Sequence, residues 1–328
     1  MNRPTVLIEA RPFCVFDTSA LDKLTQAPVD VVNFRGKGMA DPAFVQALHS
    51  ADIVLCGNDL NVDGALLDQA PRLQAVAKMG AGLDTVDIAA ATARDILVFH
   101  TPGVNNQAVA DHTFALILAL ARRILFCDRS LREGRWEHTK IMGLEIWEKT
   151  MGLLGLGAIG RCVALRAKGF AMKVVAYDPY WPEAFAKQHD IQRMGLNEVL
   201  ASADILSLHL PLTPETRNLI DARALARMKP GAILVNAARG GVVNEQDLYQ
   251  ALTSGRLAGA GLDVFEKEPP VDSPLMGLDN VVLTPHTAAF THEAMNKMNH
   301  VLVDQIIAWA QGQKPAHSVN PQVWKMKD

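Results

Sequence analysis

The chain has 328 residues, 49% of them apolar, with 32 Lys and Arg against 35 Asp and Glu and a formal charge of −3. That length is about twice a usual domain and supplies enough apolar residues for two cores. The balanced charge, with no block of one sign, excludes the electrostatic footprint of a nucleic-acid or anionic-lipid binder.

In chain order, the opening MNRPTVLIEARPF has too brief an apolar run before Glu9 for a signal peptide, so secretion is not expected. Short β-branched runs at 6–8, 29–32, 53–55, 73–77 and 96–99 alternate with helix-compatible stretches at 42–48, 64–69 and 86–94. That alternation predicts a parallel sheet covered by helices. A helix is expected at 105–123. Its apolar stretch 114–121 is flanked by Asp111, His112, Arg122 and Arg123 and falls short of the ~20 residues that cross a bilayer. A second βα series follows, with strands at 151–154, 173–177, 205–209, 232–236, 258–263 and 281–283, and a final helix at 291–311. Two helical crossings then make the first domain discontinuous, 1–102 plus 291–328, with 103–290 as the second domain and a cleft beside the helical joint. Cys14, Cys56, Cys127 and Cys162 form no CxxC or metal-type spacing and read as reduced packing thiols of a cytoplasmic protein.

The segment KTMGLLGLGAIG places Gly155, Gly157 and Gly160 in GxGxxG spacing between a strand and a helix. Such glycines serve a tight turn, close approach of a pyrophosphate and helix-to-strand packing, with the phosphate charge on a helix N-terminus. The spacing alone is weak. A second strand ending at Asp178, where a carboxylate can accept from both ribose hydroxyls, makes it a dinucleotide signature. Asp178 would repel a 2′-phosphate, and Pro179, Tyr180 and Trp181 offer no arginine for one, so NAD is expected. The plain alternative is that Asp178 caps the next helix.

Ligands of doubly wound sheets sit beyond the carboxyl ends of the strands. Arg239 in NAARGGVV, Glu268 in DVFEKEPP and His286 in LTPHTAA each follow a separate strand there. Hydride delivery to a keto carbon drives charge onto its oxygen, which needs an acid; imidazole, with a reference pKa of ~6.5, suits it. Glu268 would favour the imidazolium and fix its tautomer, and Arg239 would grip a substrate carboxylate. Asp263 would accept from the nicotinamide carboxamide. Singly, each has a plain reading: capping or core histidine, solvated acid, surface ion-pair partner. The combination points to carbonyl reduction.

With these residues, and with KMGAGLDTVD, TPGVNNQAVADH and SLHLPLTPETRNLI, nearly the whole chain resembles the D-isomer-specific 2-hydroxyacid dehydrogenases. The resemblance implies an α/β fold of two doubly wound parallel-sheet domains, a Rossmann NAD domain inserted in a flavodoxin-like substrate domain. It implies Arg239, Glu268 and His286 as the catalytic set, with His286 as acid and base. It further implies that Gly155, Gly157, Ala158, Ile159, Gly160, Asp178, His209, Pro211, Thr216, Ala237, Ala238, Arg239, Asp263 and His286 line the NAD site. The backbone of Ala81 and Gly82, with Arg239 and His286, would bind substrate. A homodimer through the NAD domains is implied, with helix 105–123 in its interface; periodicity alone equally allows an intramolecular core helix.

Departures from the family narrow the substrate. Phosphoglycerate-oxidising relatives carry Arg-Ser and a following Lys where this chain has Cys56, Gly57, Asn58 and Asp59, so a phosphate would meet an acid. Lys78 offers one cation there or is a surface lysine, and the regulatory C-terminal extension of some relatives is not expected. Ala81 in place of lysine disfavours phosphite oxidation, and Glu268 in place of glutamine disfavours formate oxidation. A glyoxylate or hydroxypyruvate type of keto acid is the expected substrate. The alternatives are a D-3-phosphoglycerate dehydrogenase and an NAD-sensing, corepressor-like binding protein. Trp136 and Trp147 are expected to pack internally, or else to wall a pocket or intersubunit contact.

Overall fold

The structure, a computed structural model, describes residues 3–325. Backbone contacts divide them into two units, one holding the described residues up to Asn105 and from Phe290 onward, the other Asn106–Ala289.

The first unit is built on β1 (Thr5–Ile8), β2 (Asp30–Asn33), β3 (Ile53–Cys56), β4 (Ala75–Lys78) and β5 (Leu97–Phe99). All pair in parallel in the order β2-β1-β3-β4-β5. Every residue of β3, β4 and β5 is buried, which is why these strands read as continuous apolar runs rather than alternating ones. Ile8, Leu55, Ala77 and Phe99 point into one core, completed by Leu24 of helix Ser19–Gln26 and by Met298, Leu302 and Ile306 of helix His292–Ala310. Leu7, Val54, Val76 and Val98 point into the other, against Phe44 and Leu48 of helix Pro42–Ser50. Asp41, Asp63 and Asp87 start three covering helices by accepting from Ala43, Leu66 and Ala90 amides.

The second unit carries β6 (Thr150–Leu154), β7 (Lys173–Tyr177), β8 (Gln192–Arg193), β9 (Ile205–Leu208), β10 (Ala232–Asn236), β11 (Leu257–Leu262) and β12 (Val281–Leu283). They are all parallel in the order β12-β11-β10-β9-β6-β7-β8, so the direction of strand addition reverses between β6 and β9. Helix Asn106–Ala121 buries Phe114, Leu116 and Ile117 in this unit's core. A side chain at Gly261 would meet Leu116 at 2.9 Å, so glycine there lets this helix lie directly on β11.

Three expectations are corrected. The helix expected to reach residue 123 stops at Ala121, because Arg123 turns left-handed (φ 51°) and opens a new helix, Ile124–Arg132. Trp136 and Trp147 are 76% and 57% exposed instead of packed inside. Lys78 is 1% exposed and no surface lysine. The short β8 was not foreseen; both its residues are polar and exposed, so no apolar period marks it.

Candidate active site

Arg239, Glu268 and His286 follow the carboxyl ends of β10, β11 and β12, three strands adjacent in the second sheet. Strand adjacency thus brings together residues remote in sequence. His286 Nδ1 lies 2.7 Å from Glu268 Oε2, with both side chains about one-third exposed, and Glu268 Oε1 accepts from the Phe265 amide at 3.1 Å. Burial alone would raise the Glu268 carboxyl. The bond to His286, its charge, the Phe265 amide and the Arg239 guanidinium outweigh that and hold it below its ordinary value. Because Nδ1 is engaged by Glu268, Nε2 is the ring nitrogen left to face a ligand.

Arg239 sits in a loop tied down by Asn236 at the end of β10. Asn236 Nδ2 donates to Arg239 O (2.9 Å) and its Oδ1 accepts from the Ala238 amide (3.1 Å). Arg239 Nη1 donates to Ala238 O at 2.6 Å. A Cβ at Gly240 would strike the Phe265 carbonyl, so only glycine lets this loop lie against the backbone that supports Glu268.

Asp263, fully buried directly after β11, holds the loop of His286. Its Oδ1 accepts from Thr284 Oγ1 (2.6 Å) and the Thr287 amide (2.8 Å), its Oδ2 from the Ala288 amide (2.9 Å), and its carbonyl from the His286 amide (2.9 Å). His112 Nε2 adds contacts at 2.9 Å to Thr284 Oγ1 and 3.5 Å to Asp263 Oδ1. His286 needs this support because its φ of 54° is left-handed, an uncommon state for a non-glycine residue. The sequence reading gave Asp263 to a nicotinamide carboxamide, and only remaining lone-pair capacity serves that. It missed His112 and Thr284, whose one signal was a polar residue at the edge of an apolar helix and another beside Pro285.

Of the residues predicted to hold a dinucleotide, Gly155, Gly157, Gly160, Asp178 and His209 gather around the β6 turn. Gly155 (φ 98°) closes on the His209 carbonyl, which a Cβ would strike, and Gly160 closes likewise on Gly155 O. At Gly157 a Cβ would meet nothing within 4 Å. Gly157 also opens helix Ala158–Gly169 with no side-chain cap, so the first amides remain available to an anion. Asp178 accepts from Leu156 N (2.6 Å) and Tyr180 N (2.7 Å) and keeps a lone pair on each oxygen for a ribose diol. It does not cap the next helix, whose N-cap is Pro182, and that alternative falls. Ile159 and Ala237 pack with Val109 and Ala288 in a small apolar cluster. Thr216 Oγ1 donates to Pro211 O (2.6 Å), closing the loop after β9. His209 Nε2 lies 3.0 Å from Ser207 Oγ while its buried Nδ1 has no partner, and burial pushes the imidazole down to about 4. An open glycine cradle, uncapped amides, a half-used carboxylate and an orphaned ring nitrogen fit a dinucleotide.

Ala81 and Gly82 lie in the first unit, in the turn after β4. At the neighbouring end of β3, Asp59 is paired with Arg11 at 3.1 Å, a cation the sequence reading did not place there. Among the described residues no group of His, Cys, Asp or Glu is placed to hold a metal ion, and no helix is long and apolar enough to cross a membrane.

A model of the family described as "D-isomer specific 2-hydroxyacid dehydrogenase, NAD binding domain" matches residues 114–288. The chain is 47% identical over 274 residues to a D-3-phosphoglycerate dehydrogenase of Mycobacterium tuberculosis, covering 84% of this chain but only 52%, about half, of that relative. It is 44% identical over 271 residues to a glyoxylate reductase of Korarchaeum cryptofilum, 81% of this chain and 82% of that one. A D-lactate dehydrogenase of Aquifex aeolicus, solved with NAD and lactic acid, matches with a TM-score of 0.86 at 29% identity, over 96% of this chain and 99% of that one.

Proposed function

The chain belongs to the D-isomer-specific 2-hydroxyacid dehydrogenase family, and from that premise we propose that it transfers a hydride between NAD(H) and a small, non-phosphorylated 2-keto or D-2-hydroxy acid of the glyoxylate or hydroxypyruvate type. The observation that carries this reading is the 2.7 Å contact of His286 with Glu268, next to Arg239 on the neighbouring strand end. The second unit is the NAD domain and the first the substrate domain.

Bound NADH supplies the hydride to the keto carbon. His286 Nε2 gives the proton to the carbonyl oxygen as that oxygen takes the C=O electron pair, and takes it back in the reverse direction. Glu268 fixes the ring by its Nδ1 and so turns Nε2 toward the substrate oxygen. Arg239 presents its planar guanidinium fork to the substrate, and the amides of Ala81 and Gly82 donate to the substrate carboxylate.

Reduction of glyoxylate, hydroxypyruvate and 3-phosphohydroxypyruvate with NADH tests the reading. We expect turnover of the first two, lost about 10²–10⁴-fold in His286→Ala with NADH affinity nearly intact. Undiminished turnover in that variant refutes the proton-donor role. A D-3-phosphoglycerate dehydrogenase is the second reading, favoured by the mycobacterial relative and by Arg11 beside Asp59; a higher kcat/KM for the phosphorylated substrate would select it.

The protein acts as a homodimer through the second unit. Ile124, Leu125, Leu131, Trp136, Met142 and Trp147 are all more than half exposed in the segment after helix Asn106–Ala121. A surface depression of about 680 Å³ lined by Leu118, Ala121, Trp147 and Phe170 adjoins them. So many exposed apolar side chains in one segment mark an association site, and a monomeric mass by light scattering at micromolar concentration would refute it. Four free thiols fit action in the reducing cytoplasm.

A further inference from the structure

After β4 the chain turns through Gly80, whose φ of 114° glycine alone adopts readily. Three successive carbonyls of this turn are each held by a different donor. Lys78 Nζ donates to Met79 O (3.2 Å), the Thr101 amide to Gly80 O (3.1 Å), and His100 Nδ1 to Ala81 O (3.0 Å). Thr101 Oγ1 also accepts from the Gly80 amide at 3.0 Å. In a planar trans peptide the N–H points opposite to the C=O, so a carbonyl held on one side aims the next N–H to the other. The N–H groups of Ala81 and Gly82 are therefore directed away from Thr101 and His100, and among the described residues no backbone acceptor meets them.

The donors are themselves fixed. Lys78 Nζ also donates to Asn58 Oδ1 at 2.6 Å, and Glu9, equally buried, accepts from the Gly57 amide at 3.0 Å. Gln305, 4% exposed, donates to the His100 carbonyl and accepts from the His317 amide, each at 2.9 Å, which ties His100 to the last long helix. Burial pushes the His100 imidazole below its ordinary value, so at neutral pH the ring carries one proton, and the Ala81 carbonyl fixes it on Nδ1.

We infer that His100, acting with Thr101 and Lys78, is a positioning residue that aims the Ala81 and Gly82 amides at the carboxylate of the substrate. The inference rests on the assignment of that carboxylate to these two amides. None of the three side chains needs to touch the substrate; each holds a peptide plane whose far side does.

The test titrates ¹⁵N-labelled protein with oxalate, with and without NADH, following the amide resonances of Ala81 and Gly82, and measures keto-acid kinetics in parallel. In the wild type both amides shift on oxalate binding. In His100→Leu the oxalate Kd and the substrate KM rise about tenfold, as expected for one lost hydrogen bond, while kcat and NADH affinity stay within about threefold. His100→Asn, whose amide can donate to the same carbonyl, recovers most of the affinity. Wild-type oxalate affinity and wild-type shifts in His100→Leu would overturn the positioning role while leaving the carboxylate assignment standing. Silence of both amides in the wild type would overturn that assignment and this inference with it. Should His100→Leu not fold, Thr101→Val, which strips the Gly80 amide of its acceptor, carries the same expectations.

Discussion

Replacing Asp263 by Asn tests whether the buried carboxylate holds His286 in place. The two side chains have nearly the same shape, so the change is one of hydrogen-bonding sense. Oδ1 accepts from Thr284 Oγ1 and the Thr287 amide and Oδ2 from the Ala288 amide, all within 2.6–2.9 Å in a fully buried position. Asn fits best with its oxygen at the Oδ1 site, which sets its NH₂ against the Ala288 N–H. A buried donor left without an acceptor costs ~1–3 kcal/mol, and two charge-assisted bonds reduced to neutral ones lose ~0.5–1 kcal/mol each, for a total of about 3 kcal/mol. Against a total stability of ~5–15 kcal/mol that is a large fraction. Freed of its clamp, His286 relaxes from its left-handed backbone state, and misplacement of a reacting group by about 1 Å costs about 10²-fold in rate. Urea unfolding and single-turnover reduction of a keto acid by NADH read the two effects. A variant as stable as the wild type would show that the carboxylate does not anchor residues 284–288. A destabilised but fully active variant would show that His286 does not depend on it.

Gly157→Ala should unfold at the wild-type urea midpoint, because its Cβ meets open space, yet bind NADH more than tenfold more weakly by fluorescence titration. Unchanged NADH affinity would move the pyrophosphate elsewhere. His209 predicts an acid instability. Its folded-state value of about 4 lies below the ordinary 6.5, so between those limits the unfolded chain binds the extra proton. Stability from this group is complete above about pH 6.5 and declines as pH falls toward 4, by about 3 kcal/mol at ~1.4 kcal/mol per unit. The slope of unfolding free energy against pH should flatten over that window in His209→Gln, and an unchanged slope would assign the acid sensitivity to other groups.

The strands and the glycine turn were legible because burial on both faces and close backbone approach leave compositional marks. Continuous apolar runs at β3 and β4, and the spacing of Gly155, Gly157 and Gly160, are direct records of packing. What stayed illegible depends on partners remote in sequence. The burial of Lys78 is sustained by Asn58 and by Glu9 across the strand ends, and nothing next to it in sequence announces that. The left-handed turn at Arg123 uses a residue with no preference for it, so the helix end carried no glycine or proline signal. Trp136 and Trp147 look like core residues by type, and only the structure distinguishes a buried aromatic from one left exposed. The candidate site residues were picked out by their chemistry, whereas the way they are held was not legible.

That holding has one centre. β11 lies between β10 and β12, and the segment following it supplies Asp263, which clamps the loop of His286, Phe265, whose backbone seats both Gly240 and Glu268, and Glu268 itself. Arg239 and His286 come from the flanking strands and are each referred to this middle segment by backbone contacts of fixed length. A displacement of residues 263–268 would therefore move the guanidinium and the imidazole together, whereas a displacement of either flanking loop would move only one. Substitutions within the central segment should accordingly couple non-additively with changes at both neighbours, while Asn236, acting on the Arg239 loop, and Thr284, acting on the His286 loop, should combine nearly independently of one another.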